Sequence, residues 1–245
     1  MGYRSRGGRR MLGSTLALCL LLAGCGGAAP DPTSLYPMEP GLTWRYSIVT
    51  VRKGNDPVTE IRTMENVSRG PFAEFDDVAV RRNNYGARYY VAQRADGYYR
   101  LAMKSVASDE PAMDHPMRRI LPLPATEGSK WRQAANAYLL DRAATFITEK
   151  SSGGQLTLDY RIESTQAEVD VPAGHFEGCT LAVGKLIFHL GAGAGFAPTD
   201  VPIVQKEWYC PGIGLTRLER DEKLTSENRY ITGGHISLKL VEGPA

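Results

Sequence analysis

Thr43-Trp44-Arg45-Tyr46-Ser47-Ile48-Val49-Thr50-Val51 opens by alternating polar with large apolar side chains. That period of two sends successive side chains to opposite faces of a strand. Val58–Met64, Asp77–Arg82, Ala87–Gln93 and Tyr98–Met103 repeat it, with turn residues between them. Further strands are expected near 131–138, 156–169, 179–190, 201–210, 214–221 and 229–241. Arg94-Ala95-Asp96-Gly97 reads as a type I′ hairpin, because Asp-Gly tolerates the positive φ of that turn. Residues 105–127 hold Pro111, Pro116, Pro122, Pro124 and several acids, and read as a long loop. In Asn136–Glu149, Ala137, Leu140, Ala144 and Ile147 have helical spacing. Tyr138, Thr145, Phe146 and Thr148 favour a strand there, which is our reading. The fold class expected is all-β. Corners at Pro172-Ala173-Gly174 and Pro211-Gly212-Ile213-Gly214 let one antiparallel sheet curl strongly, up to an incomplete barrel, with Trp44, Trp131 and Trp208 pointing into it.

An internal duplication is suggested by a repeated spacing. Pro37, Gly41 and Trp44 recur as Pro124, Gly128 and Trp131, with Arg after each tryptophan. Gly97-Tyr98-Tyr99-Arg100-Leu101 is echoed by Gly214-Leu215-Thr216-Arg217-Leu218. Gly70-Pro71-Phe72 is matched, more loosely, with Gly174-His175-Phe176. The second half then needs an insertion of about thirty residues.

The chain begins with Arg4, Arg6, Arg9 and Arg10, then an apolar stretch from Met11, then Leu22-Ala23-Gly24-Cys25. A charged start, a short apolar run and small residues before a cut make a secretory signal. The apolar run is shorter than the roughly 20 residues that span a bilayer. The ending resembles the lipobox of bacterial lipoproteins, which implies cleavage before Cys25 and lipidation of Cys25. The expected organisation is a signal over 1–24, a flexible tether over 25–35, small, polar and proline-bearing, and one domain over 36–245. Residues 1–24 hold four arginines and no acid, so their removal takes the formal charge from +2 to −2. No clustered basic face remains for nucleic acid, and Arg81-Arg82 and Arg118-Arg119 stand as isolated pairs.

Cys179 and Cys210 flank two strand-like runs. If these form one hairpin with its tip in Gly191-Ala192-Gly193-Ala194-Gly195, residues whose numbers sum to 389 face each other. The two cysteines are then directly opposed, as a disulfide needs, in an exported and oxidising setting. The alternative is a reactive or metal-binding thiol pair, but metal sites want more ligands at close spacing. The Gly-Ala run lacks the Lys-Ser/Thr and helix of a phosphate loop. His115, His175, His189 and His235 show no zinc spacing, and Asp109, Glu110, Asp114 and His115 lack the order of a calcium loop. No Gly-x-Ser-x-Gly occurs. No catalytic residue, metal or cofactor is therefore assigned.

Three segments occur together: Tyr36-Pro37-Met38-Glu39-Pro40-Gly41-Leu42-Thr43-Trp44-Arg45-Tyr46, Val171-Pro172-Ala173-Gly174-His175-Phe176-Glu177-Gly178-Cys179 and Trp208-Tyr209-Cys210-Pro211-Gly212-Ile213-Gly214-Leu215. With them the chain resembles an uncharacterised group of exported bacterial lipoproteins with VPAG-x-F and WY-x-PG-[VI]-G turns. By analogy of fold, that group is similar to LolA/LolB-type carriers. The resemblance implies a curved antiparallel sheet and an envelope location. Gly26 in place of Asp implies sorting to the outer membrane, on its periplasmic side. The expected partners are the membrane, through Cys25, and an apolar ligand or an envelope protein, with a non-catalytic role. Alternatives are a periplasmic hydrolase using the 105–127 loop and an interaction module without a small ligand. A carrier needs a deep apolar groove, a hydrolase needs convergent polar groups with shifted pKa values, and an interaction module needs a filled sheet and an exposed apolar patch.

Overall fold

The computed structural model describes residues 1–2, 30–136, 138–139, 156–190, 199–224 and 233–244. None of these residues is helical. The strands are β1 (Thr43–Arg52), β2 (Val58–Phe72), β3 (Phe75–Asn83), β4 (Arg88–Arg94), β5 (Gly97–Lys104), β6 (Ala112–Pro122), β7 (Lys130–Ala135), β8 (Leu156–Val171), β9 (Gly174–Leu190), β10 (Thr199–Cys210), β11 (Gly214–Glu222) and β12 (Gly234–Glu242). They make one antiparallel sheet in the order β6-β5-β4-β3-β2-β1-β12-β11-β10-β9-β8-β7. The sheet curls into a nearly closed barrel with one unsealed seam, between β6 and β7. Side chains bridge that seam. With its amide oriented to suit its neighbours, Gln133 of β7 donates to the Arg119 carbonyl (3.2 Å) and accepts from the Arg118 guanidinium of β6 (2.5 and 2.7 Å).

The order is two-fold symmetric in topology. β1–β6 and β7–β12 are six-stranded meanders joined edge to edge at β1–β12. The repeated motifs fall at equivalent places. Gly41 and Gly128 both adopt positive φ (91° and 84°) just before β1 and β7, where glycine is favoured sterically. Trp44 and Trp131 are both buried. Gly97 and Gly214 each open the fifth strand of a half. Gly70-Pro71-Phe72 and Gly174-His175-Phe176 both lie at β2–β3-type hairpin tips, but on opposite arms: the first on the outgoing strand, the second on the returning one.

Register is fixed by alternation and by charge. Opposed cross-strand pairs join Arg45 to Glu242, Arg82 to Glu65, and Arg132 to Asp159. His175 pairs in the same way with Asp170, His189 with Asp200, and His235 with Asp221. A slip by one residue would break each pair and turn the apolar face outward. The main core joins Ala79, Tyr98, Leu121, Trp131, Leu156, Leu158, Tyr160, Ile162, Val201, Ile203 and Tyr209 from several strands.

Three expectations are corrected. Residues 105–127 are not one long loop, because Ala112–Pro122 forms β6. Among the described residues this strand pairs only with β5, so its prolines cost no ladder bond on the seam side. The ladder also shifts between Arg100 and Ala102, opposite the stretch that holds Pro116. The Arg94–Gly97 hairpin exists, with Ala95 and Asp96 as its turn, but neither these residues nor Gly97 adopt positive φ, so it is not type I′. Gly97 is needed for space instead: a Cβ there would lie 2.4 Å from the Leu121 carbonyl oxygen. Trp208 does not point inward. Val201, Ile203, Gln205, Glu207 and Tyr209 take the buried face of β10, which puts Trp208 on the other face. There it is half-buried, with Arg217 5.1 Å from its ring centre. The strand expected over 136–149 lies almost wholly outside the described residues, as do the Gly191–Gly195 tip and the 1–24 signal. Asn136, Tyr138 and Leu139, which are described, are not in a strand.

Candidate functional site

Cys25 lies outside the described residues. Cys179 and Cys210 form a disulfide, with Cα atoms 4.2 Å apart. The β9–β10 ladder runs from Leu190↔Thr199 to Thr180↔Tyr209, so every pair sums to 389, as the hairpin reading requires. The next pair is the two cysteines. Both are buried, packed with Val169 and flanked by Phe176, Trp208 and Ile213.

Residues 30–42 form a strap across one end of the barrel. Within the last part of the expected tether, Pro32, Ser34 and Leu35 already touch the domain. The Gly212 amide donates to the Ser34 carbonyl (2.8 Å), and the Ser34 and Tyr98 hydroxyls lie 3.3 Å apart. Arg81 pins the strap from inside. Its guanidinium donates to Asn66 Oδ1 and to the Pro37 carbonyl, each at 2.9 Å. The same group lies 4.4 Å from the ring centres of both Tyr36 and Trp44. Asn66 in turn donates to the Pro37 and Glu39 carbonyls (3.2 and 3.0 Å). Trp44 Nε1 donates to the Ile213 carbonyl (2.7 Å) and Tyr46 Oη to that of Leu215 (2.9 Å), tying β1 to the β10–β11 corner.

The barrel interior carries a polar brace that the sequence reading did not assign. Glu207 is 4% exposed and accepts from Tyr160 Oη (3.0 Å), Tyr209 Oη (2.6 Å) and the Gln205 amide. Burial, then the charge of Glu207, pushes both tyrosine hydroxyls well above their ordinary pKa. Arg220 donates to Gln205 Oε1 (2.7 Å), Glu222 Oε1 (2.6 Å) and the Asn136 carbonyl (2.7 Å). Glu222 also receives the amides of Tyr138 (3.0 Å) and Leu139 (2.9 Å). Tyr160 reaches Glu207 only because Gly184 lies under its ring: a Cβ at 184 would come within 2.6–2.9 Å of ring carbons. A buried carboxylate is stable when paired and fully hydrogen-bonded, and each acid here has several donors. The brace was legible in part. Val201-Pro202-Ile203-Val204-Gln205-Lys206-Glu207-Trp208-Tyr209 places Gln205 and Glu207 in phase with Val201 and Ile203.

The acidic residues of 105–127 do not converge. Asp114 is held by Arg100 at 2.6 and 2.9 Å, and the Asp109 carbonyl is taken by Lys104. His175, His189 and His235 are each engaged by an aspartate rather than by one another. Among the described residues, no group of three His, Cys, Asp or Glu side chains could hold a metal ion. An open hollow of about 300 Å³ on the barrel surface is lined by Thr63, Glu65, Arg82, Asn83, Asn84 and Gly86.

No family model matches the chain, and no curated protein matches it. Two solved structures are similar. One is a "putative lipoprotein" from Parabacteroides distasonis, 14% identical, covering 87% of this chain and 99% of that one, with a TM-score of 0.40. The other is a "putative exported protein with YmcC-like fold" from Bacteroides fragilis, 11% identical, covering 85% of this chain and 97% of that one, with a TM-score of 0.35.

Proposed function

We propose that the chain is an envelope lipoprotein, held by lipidated Cys25 on the periplasmic side of the outer membrane, whose barrel acts without catalysis as a scaffold for an envelope protein. The Leu22-Ala23-Gly24-Cys25 ending supports the anchor, and Gly26 after it supports the outer membrane. The observation that carries the scaffold role is the interior brace. A carrier of apolar cargo needs an apolar, emptiable cavity. The inward face of β10 and β11 instead presents Gln205, Glu207, Arg220 and Glu222, saturated by one another and by Tyr160 and Tyr209. The same saturation speaks against a hydrolase, which needs a nucleophile or base free to meet substrate. Exposed apolar side chains such as Val58, Ile61 and Val106 suit protein contact. Titration of the detergent-extracted protein with a fluorescent fatty acid tests the role. The scaffold gives no saturable signal; saturable one-to-one binding overturns it in favour of a carrier.

A further inference from the structure

The meander gives the barrel two unlike ends. Arg52 pairs with Gly234, so β1, β3, β5, β7, β9 and β11 all finish at one end, and the even strands start there. At the opposite end lie the tight turns Ala73-Glu74, Ala95-Asp96 and Pro172-Ala173, the Pro211–Ile213 corner and the strap. The strap docks from Pro32 onward. Ser34 meets Gly212, and Tyr36 packs against Tyr98 with ring centres 5.6 Å apart. The first contact with the barrel is Pro32 against Gly212, so residues 26–31 separate Cys25 from the docked strap. Seven peptide units reach at most roughly 25 Å. Strands of nine to fifteen residues, such as β3 and β2, are roughly 30–50 Å long at about 3.3 Å per residue, and the tilt of about 40° usual in a barrel sets the two ends roughly 23–38 Å apart. A flexible coil of seven residues has an r.m.s. length of only about 15 Å, so the leash is too short for the domain to turn over.

The ends also differ in surface chemistry. Apart from Met1, the most exposed large apolar side chains among the described residues are Val58, Ile61, Tyr85, Val106, Tyr138 and Ile187. All lie at or near the end away from the strap. The strap-end turns carry exposed charges of both signs instead, Glu74, Asp76, Asp96, Glu127 and Glu177 alongside Arg94 and Lys130, and none of these apolar side chains. Such a mixed surface offers neither a polybasic patch for anionic headgroups nor an apolar anchor to insert.

From this we infer that the domain stands upright on its own membrane: the strap end faces the headgroups without inserting, and the apolar rim points away into the periplasm. The inference rests on the lipidation of Cys25 proposed above. Its partner surface is the bilayer that holds the anchor. The rim is thereby kept out of that bilayer and left open.

The test uses full-length lipidated protein in vesicles of phosphatidylethanolamine and phosphatidylglycerol that carry a headgroup-linked energy acceptor. Single donor dyes are placed at Glu74→Cys, at the strap end, and Ala107→Cys, at the far end; both positions are exposed. Energy transfer is expected to be several-fold stronger from position 74. Inserting about twenty Gly/Ser residues after Gly27, a coil of roughly 25 Å r.m.s. length, should shrink the difference. Equal transfer, or stronger transfer from position 107, overturns the orientation and, in the second case, puts the apolar rim in the bilayer. Failure of the protein to float with the vesicles at all overturns the lipid anchor itself, and the orientation with it.

Discussion

Gly184→Ala should destabilise the barrel through one contact, and the geometry sets its size. The new Cβ would sit 2.6 Å from a Tyr160 ring carbon. Backbone holds one side of this clash, and the Tyr160 ring is buried and stacked on Trp131 at 5.0 Å. Overpacking of this kind costs about 1–3 kcal/mol. Moving the ring also breaks the Tyr160–Glu207 hydrogen bond, and a bond to a charged group contributes about 1.5–3 kcal/mol. The two together come to roughly 2.5–6 kcal/mol, read as a drop in urea midpoint with unchanged slope. The cycle with Tyr160→Ala isolates the cause. Once the ring is gone, Gly184→Ala should cost less than roughly 0.5 kcal/mol, because the contact it violates no longer exists. Equal costs in both backgrounds would refute the claim that Gly184 is there to let Tyr160 cross to Glu207.

Three further outcomes are expected. Replacing both Cys179 and Cys210 by alanine opens a loop of 31 residues in sequence separation and should cost about 3–4 kcal/mol in urea unfolding; an unchanged midpoint would remove the disulfide from the stability account. The hydrogen bond to Asp170 holds the His175 pKa above its usual value, so the pair stabilises the fold fully below the unfolded-state pKa of about 6.5 and loses that contribution as pH rises through the raised folded value. The melting-temperature gap between the natural chain and His175→Gln should therefore close with rising pH; a gap that widens would be the wrong sign. Cys25→Ala should abolish metabolic labelling with a fatty acid and release the protein from membranes, and equal labelling of the variant would exclude lipidation at that residue.

Much of the architecture was legible because alternation survives burial on one face. Trp44, Tyr46 and Ile48 face the core as their spacing requires, and the numerical symmetry of the β9–β10 hairpin put Cys179 opposite Cys210. β6 was not legible, since proline signals a loop only where both edges of a strand are paired, and β6 has one edge on the seam. Trp208 misled for a different reason. Size suggested core, but phase decides the face, and Glu207 and Tyr209 had already claimed the inside of β10. Glu207 and Arg220 were missed because an acid or an arginine within a strand usually marks its solvent face. Here each is satisfied on the buried face, by a neighbour two residues away (Tyr209 for Glu207, Glu222 for Arg220) and by a side chain of another strand (Tyr160 of β8 for Glu207, Gln205 of β10 for Arg220). A lone glycine in a strand carries no signal of its own, and the use of Gly184 appears only once Tyr160 lies above it.

Native mass spectrometry of the protein extracted from its own membranes bears most directly on a lipid-anchored scaffold with a braced interior. The account predicts one species, whose mass is the chain from Cys25 onward plus covalent acyl groups, with no further lipid retained under gentle detergent release. A stoichiometric non-covalent lipid on that species would contradict the braced interior, and a mass that still includes residues 1–24 would contradict the anchor.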